Sequence, residues 1–175
     1  MASKNDAVVE PRPFALGESV FPISGGLPLN KRAPQRQAYR LLELKRWSDY
    51  LGLPLNLHPK FFPVDEVPAS KMIAAAIKAD GNDAALKLAG ALMRAVWADE
   101  RDISDADTLV RLGDENGLDG AALYAAREDA TDLYQRYTSD AIELQVFGAP
   151  WYEYRGISFW GQDRLDFLER ALSQN

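Results

Sequence analysis

At Phe147 the spacing of apolar residues changes period. Upstream, from Pro34 to Leu144 and across one proline-rich interruption, apolar side chains return every three to four positions. Downstream they come as two four-residue runs, Trp151–Tyr154 and Ile157–Trp160, parted by Arg155-Gly156. A period near 3.6 gives a helix one stripe to bury, whereas two short runs around a glycine turn pair as a hairpin. The chain therefore has to combine a block of helices with a small sheet, an α+β layout.

The segments flanking the hairpin carry chemistry. Before it stands Phe147-Gly148-Ala149-Pro150; a proline after a small residue at the start of a strand is the usual setting for a cis peptide, which turns the neighbouring amide and carbonyl outward. After it, Phe159-Trp160-Gly161-Gln162-Asp163-Arg164 opens a helix expected over Asp163 to Ala171, with Leu165, Leu168 and Leu172 on one face. A glycine followed by polar residues at a helix start leaves N–H groups that suit a carboxylate or phosphate. Side by side, the two segments form a shelf for a peptide-like ligand. Plainer roles stand beside this one: Asp163 caps its own helix, and Pro150 sets the chain path.

Along the rest of the chain, Ala7 to Leu16 reads as a strand, with Pro11 and Pro13 at an edge or outside the sheet, and Gly17 to Ala33 as irregular. Pro34 opens a long helix that Gly52 and Pro54 end, and the basic region from Lys31-Arg32 to Lys45-Arg46 reads as a solvated helix face. Four prolines keep Leu53 to Pro68 extended, with Phe61-Phe62 docking it onto helices. Ser70 is the expected N-cap of the next helix, Asp80-Gly81-Asn82 a turn, and Asp83 to Ala98 a helix. Ser104 and Asp107 resemble a capping box that opens a helix toward Gly117. Asp119 to Arg127 and Ala130 to Leu144 complete the helical block.

With 175 residues, 47% of them apolar, the chain can bury one good core. A net charge of −6 with dispersed basic residues argues against a nucleic-acid partner. Cysteine is absent, which removes disulfides, thiolate metal sites and redox pairs. No apolar run reaches the ~20 residues of a membrane span, so a soluble, cytoplasmic protein is expected. The one histidine, His58, stands between Leu57 and Pro59 without a sequence-near carboxylate and reads as a loop residue. The acids from Asp99 to Asp107 lack calcium-loop spacing, and no metal site is expected.

The Phe-Gly-Ala-Pro, Phe-Trp-Gly-Gln-Asp-Arg and Leu-Pro-Leu-Asn-Lys-Arg-Ala-Pro segments, with the helix from Tyr39 to Trp47 and Ala95-Val96-Trp97, resemble the 2-hydroxychromene-2-carboxylate isomerases. These are relatives of kappa-class glutathione transferases with a DsbA-like thioredoxin fold. The resemblance implies a thioredoxin-like domain, residues 1–33 and 145–175, split by a helical insertion, residues 34–144, with glutathione in the cleft between them. It implies that Ala149 and Pro150 meet the cysteinyl part of glutathione, that Gln162 and Asp163 hold its γ-glutamyl end, and that Arg36 lies near its glycyl carboxylate. The implied reaction acts on an aromatic 2-oxo acid by reversible addition of the glutathione sulfur to a conjugated carbon. Trp97, Tyr39 and Phe62 are candidate walls for a flat substrate, although each also sits at core or docking spacing.

The family's serine-bearing strand-helix unit has no match here, and neither Ser3 nor Ser19 has the context to inherit its role, so no catalytic residue is assigned. A thioredoxin-like sheet without its first strand exposes ladder groups; a second copy or a partner chain completing the sheet, a different collapse of the ends, and a shortened form of a longer protein are the alternatives. The rival to an isomerase is a non-catalytic glutathione-binding or assembly protein.

Overall fold

The computed structural model describes residues 1–174. Its helices are α1 (Phe21–Ser24), α2 (Pro34–Leu51), α3 (Val67–Asp80), α4 (Asn82–Trp97), α5 (Ala106–Glu115), α6 (Gly120–Ala126), α7 (Thr131–Glu143) and α8 (Leu165–Leu172). Between α7 and α8 lies one antiparallel hairpin, β1 (Trp151–Tyr154) with β2 (Ile157–Trp160), in the register Trp151 to Trp160 and Tyr154 to Ile157. The helical block, hairpin and final helix expected from the change of period are all present. Among the described residues no helix is long and apolar enough to cross a membrane.

The core lies among α3 to α7. Met72, Leu88 and Leu109 are fully buried, and the alanines at 74, 75, 76, 85 and 95 let the helix backbones approach one another. Phe62 and Trp97 close one end of this core with their rings 4.6 Å apart. The proline-rich segment reaches that end through Asn56, whose N–H donates to the Trp97 carbonyl at 2.6 Å and whose amide donates to the Ala98 carbonyl at 3.1 Å. By contrast, α2 has no buried residue: its basic face is solvated as expected, but Tyr39, Leu42 and Tyr50, from the stripe whose spacing called for burial, are exposed as well.

Four local expectations are corrected. Ala7 to Leu16 forms no strand: Val8 is 80% exposed, Pro11 and Pro13 offer no N–H, and the two-stranded sheet is made of β1 and β2 alone. The stretch after it is not irregular but coils into a π-helical turn, Leu16–Val20, that runs into α1. Helix α3 starts at Val67, whose N–H is held by the Asp65 carboxylate at 3.0 Å, so Ser70 lies inside the helix rather than at its cap. At α5 the cap is Asp105, which accepts from Thr108 N–H at 2.8 Å, while Ser104 donates to Asp102 instead. Asp105, whose backbone is in the β region, aims its side chain at the free N–H groups of the first turn.

A second, smaller cluster joins the N-terminal stretch to the hairpin across α7. Val20, Ala141 and Val146 are buried together, with Phe14, Leu16 and Trp151 against them. Thr138 fixes the approach: its hydroxyl accepts from Ala15 N–H at 3.0 Å and donates to the Tyr134 carbonyl at 2.9 Å. Tyr134 is buried with its hydroxyl unpartnered, and burial, then the charges of Glu66, Glu18 and Asp65, push that phenol up to about 12. Below pH 10 the phenol is neutral in the folded and unfolded chains alike. As pH rises from 10 towards about 12 the unfolded chain loses this proton first, so stability falls across that window. Tyr134→Phe is therefore expected to be no less stable at neutral pH and to lose less stability across the alkaline window than the parent, as urea unfolding midpoints will read. Tyr152, raised by its own burial, keeps part of the decline in both proteins.

Candidate functional site

The hairpin register decides what the shelf looks like. Arg155 and Gly156 both take positive φ, 51° and 78°, the pair of conformations that a tight two-residue turn needs to match the strand twist. With that turn fixed, Trp151 falls opposite Trp160, and the residues just outside the pair, Pro150 and Gly161, are bound to meet. They do: Gly161 N–H donates to the Pro150 carbonyl at 3.0 Å. The Ala149–Pro150 peptide is cis, as expected from sequence. Hence Ala149 and Pro150 lie beside Gln162 and Asp163, four of the five residues singled out for binding.

The donors and acceptors along this edge are open. Ala149 is exposed, and neither its N–H nor its carbonyl makes a hydrogen bond among the described residues. Gln162 to Arg164 form a 3-10 turn entered from Gly161, with no side chain capping the first N–H groups. The turn leads into α8 at Leu165, so the final helix begins two residues later than expected and its entry is tighter. Asp163 does not cap it; its carboxylate lies 2.6 Å from Arg164, a half-exposed pair of small energetic weight.

Behind the edge stands an aromatic wall. Phe147 packs edge-on against Trp151 and Trp160, at 5.2 and 4.8 Å between ring centroids. Gly148 is buried under Trp160 so closely that a Cβ there would lie 2.5 Å from the indole nitrogen. Trp160 itself is half exposed, with its indole over Gly148, the residue before Ala149. Gly148 and Trp160 are not among the binding residues expected from sequence, although the two segments that mark the shelf contain both.

Arg36 belongs to a different surface. It is exposed in the first turn of α2 and lines an open notch of about 330 Å³ with Arg32, Gln35, Tyr39 and Arg40. Among the described residues no hydrogen bond, ion pair or ring contact joins it to the hairpin. The three candidate wall residues also separate: Phe62 and Trp97 pack on the core, while Tyr39 is 56% exposed in the notch. Arg40 bridges the two settings, with its guanidinium over the Phe62 and Trp97 rings at 5.5 and 5.4 Å. The spacing of Arg32, Arg36 and Arg40, four residues apart each time, was the available sequence signal for the notch. His58 is exposed in the extended segment. Of the acids around residue 100, Asp99 pairs with Arg94, Asp102 holds Ser104, and Asp105 caps α5.

Comparison with known proteins agrees with this architecture. The family described as DSBA-like thioredoxin domain matches residues 1–173. A 2-hydroxychromene-2-carboxylate isomerase of Sphingobium xenophagum is 28% identical over 174 residues, 98% of this chain and 86% of its own length. One of Pseudomonas putida is 30% identical over 151 residues, 84% of this chain and 70% of its own length. A solved structure of selenomethionine 2-hydroxychromene-2-carboxylate isomerase superposes with a TM-score of 0.80 at 22% identity, covering 99% of this chain and 83% of that one.

Proposed function

Because the chain belongs to the DSBA-like thioredoxin domain family, and within it to the family of 2-hydroxychromene-2-carboxylate isomerases, we propose that it is a glutathione-dependent isomerase of an aromatic 2-oxo acid. The observation that carries the glutathione reading is the Gly161 to Pro150 hydrogen bond, which sets an open backbone edge at Ala149 beside the uncapped N–H groups of Gln162 and Asp163.

The donor set fits a tripeptide with one ammonium and two carboxylates. In this reading the Ala149 N–H and carbonyl pair with the cysteinyl backbone, as an added strand does at a sheet edge. The free N–H groups of Gln162 and Asp163 take the γ-glutamyl carboxylate and Asp163 takes the ammonium; Arg36, on the separate α2 surface, is assigned the glycyl carboxylate by the family resemblance and not by contact with the shelf. Glutathione, when bound, supplies a thiol for reversible addition to a conjugated carbon. The chain's own part is to hold the ligand, lay a flat substrate against Trp160 and Phe147, and exclude water from the reacting face.

A second reading is favoured by one feature of the shelf. Ala149, Pro150, Gln162 and Asp163 include no hydroxyl group to support an ionised sulfur, so a protein that binds glutathione without turnover is the rival.

Calorimetric titration with glutathione tests the binding, and a thiol-dependent assay with 2-hydroxychromene-2-carboxylate tests the chemistry. Saturable binding with turnover is the expected result. Asp163→Asn is expected to weaken glutathione about tenfold, the scale of one lost charge-assisted hydrogen bond, with the melting temperature unchanged. Binding without turnover selects the rival, and no binding ends both readings.

A further inference from the structure

The hydrogen bonds of the hairpin leave a row of backbone groups without partners. In an antiparallel pair, opposed residues alternate between those that exchange both bonds and those whose N–H and carbonyl point away from the other strand. The bond from Gly161 N–H to the Pro150 carbonyl fixes the phase of that alternation. Counted in twos from there, Tyr152 with Phe159 and Tyr154 with Ile157 are the bonded pairs. Trp151 and Glu153 therefore turn their N–H and carbonyl groups to the outer edge of β1, where they meet no partner among the described residues. On β2 the outward residues are Ser158 and Trp160, and the 3-10 turn from Gln162 ends the row. On β1 the row continues back to the open groups of Ala149.

No described segment of the chain pairs with this edge. Ala7 to Leu16 carries strand-forming residues, but Val8 to Pro13 makes no backbone hydrogen bond to β1. That stretch is tied to α7 instead, by Arg12 to Asp140 at 3.4 Å and by Ala15 N–H to Thr138 at 3.0 Å. Only another extended backbone carries donors and acceptors at the spacing of such a row, so the edge itself states what covers it. The side chains state which kind. Tyr152 and Tyr154 share one face with Phe159 and Ile157, which suits β-branched neighbours. Glu153 is exposed on the opposite face, in a chain whose net charge is −6, which suits a basic one.

We propose that the outer edge of β1 accepts an extended segment of a partner polypeptide as a third strand, β-branched beside Tyr152 and Tyr154 and basic beside Glu153. The segment bonds to Trp151 and Glu153, which take no part in holding glutathione. The inference therefore stands apart from the glutathione reading, although the two meet at Ala149. A two-stranded hairpin is marginal by itself, and an added strand gives it a second ladder.

The test is titration of the full chain, labelled with nitrogen-15, with a short peptide blocked at both ends in which valine alternates with lysine. Two further versions of the peptide are N-methylated, one at the valine amides and the other at the lysine amides. A strand pairs through one edge only, and the amides of alternate residues lie on opposite edges. The expected result is saturable movement of the Trp151 and Glu153 amide signals, kept with one methylated version and lost with the other. Glu153→Pro removes one outward N–H and no bond inside the hairpin, and is expected to weaken the peptide about tenfold. Ser158→Pro, on the outer edge of β2, is expected to leave the affinity unchanged. If Glu153→Pro unfolds the hairpin, the methylated peptides carry the test. Equal affinity for both methylated versions overturns the proposal, as does the absence of saturable binding or an equal loss in Ser158→Pro. Protection of Trp151 and Glu153 in a concentration-dependent dimer without peptide puts a second copy on the edge and also overturns it. Glutathione run in parallel separates the two readings: peptide binding without glutathione binding keeps the edge and removes the shelf, and the reverse does the opposite.

Discussion

Gly120→Ala is expected to lower the stability of the protein by at least about 3 kcal/mol, at the upper end of what overpacking does. The new Cβ would stand 2.0 Å from the Val110 carbonyl oxygen and 2.8 Å from its carbon. Both atoms are backbone of α5, so no rotamer change relieves the collision. Gly113 meets the same contact from the other side, since a Cβ there would lie 2.6 Å from the Gly120 Cα. The two glycines let α5 and α6 touch backbone to backbone, with Gly120 N–H donating to Asp114 at 2.9 Å. Separating them opens the core around Leu109, Leu112 and Leu123. Urea unfolding followed by far-UV dichroism measures the loss. Gly90→Ala is the matched control: nothing lies within 4 Å of its Cβ position in α4, and there the substitution is expected to stabilise by about 0.5–1 kcal/mol. If both variants unfold at the same urea concentration, the close approach of α5 and α6 is wrong.

Gly148→Ala is expected to leave the helical body folded and to damage the shelf. Its Cβ would lie 2.5, 3.1 and 3.4 Å from three atoms of the Trp160 indole. Trp160 is half exposed and gives way by swinging outward, which breaks its edge contact with Phe147 and moves Gly161, one residue on, away from Pro150. The binding edge and the free N–H groups then no longer share one ligand. Glutathione affinity is expected to fall about tenfold or more, with altered tryptophan fluorescence and little change in far-UV dichroism, because a small misplacement of a positioning group is felt strongly in binding. Affinity within twofold of the parent, with the fluorescence shifted, would show that the shelf does not depend on Trp160.

How much of this was legible without coordinates differs from element to element. The helices α3, α4, α5 and α7 followed from apolar spacing, because burying one stripe is a local demand that a run of ten or more residues states repeatedly; α2 has the same spacing but buries none of it. The hairpin followed for a similar reason, as Arg155-Gly156 can close a two-residue turn. Capping residues were placed less well. Ser104 and Asp105 are chemically suited to the same task, and the choice rests on tertiary detail that sequence does not display, since Ser104 is turned to Asp102 while Asp105 receives the Thr108 N–H. Ala7 to Leu16 carries strand-forming residues, but a strand exists only against a neighbour, and here the chain meets α7 through Thr138 instead.

The candidate site divides in the same way. Ala149, Pro150, Gln162 and Asp163 were found together because a short hairpin makes sequence neighbours into spatial neighbours. Arg36 was found alone. Its companions Arg32 and Arg40 emerged only with the path of the chain before α2 and the docking of Phe62 on Trp97, which gave one guanidinium a carbonyl and the other two ring faces.

Periodicity and turn chemistry thus determined from sequence alone an α+β chain with a helical block and a hairpin before the final helix, since each depends on contacts within a few residues. The tertiary structure decided which arginines share a notch, which glycines let backbones touch, and that the first apolar segment does not pair. Those outcomes depend on segments far apart in the chain competing for the same space, and no local pattern carries that information.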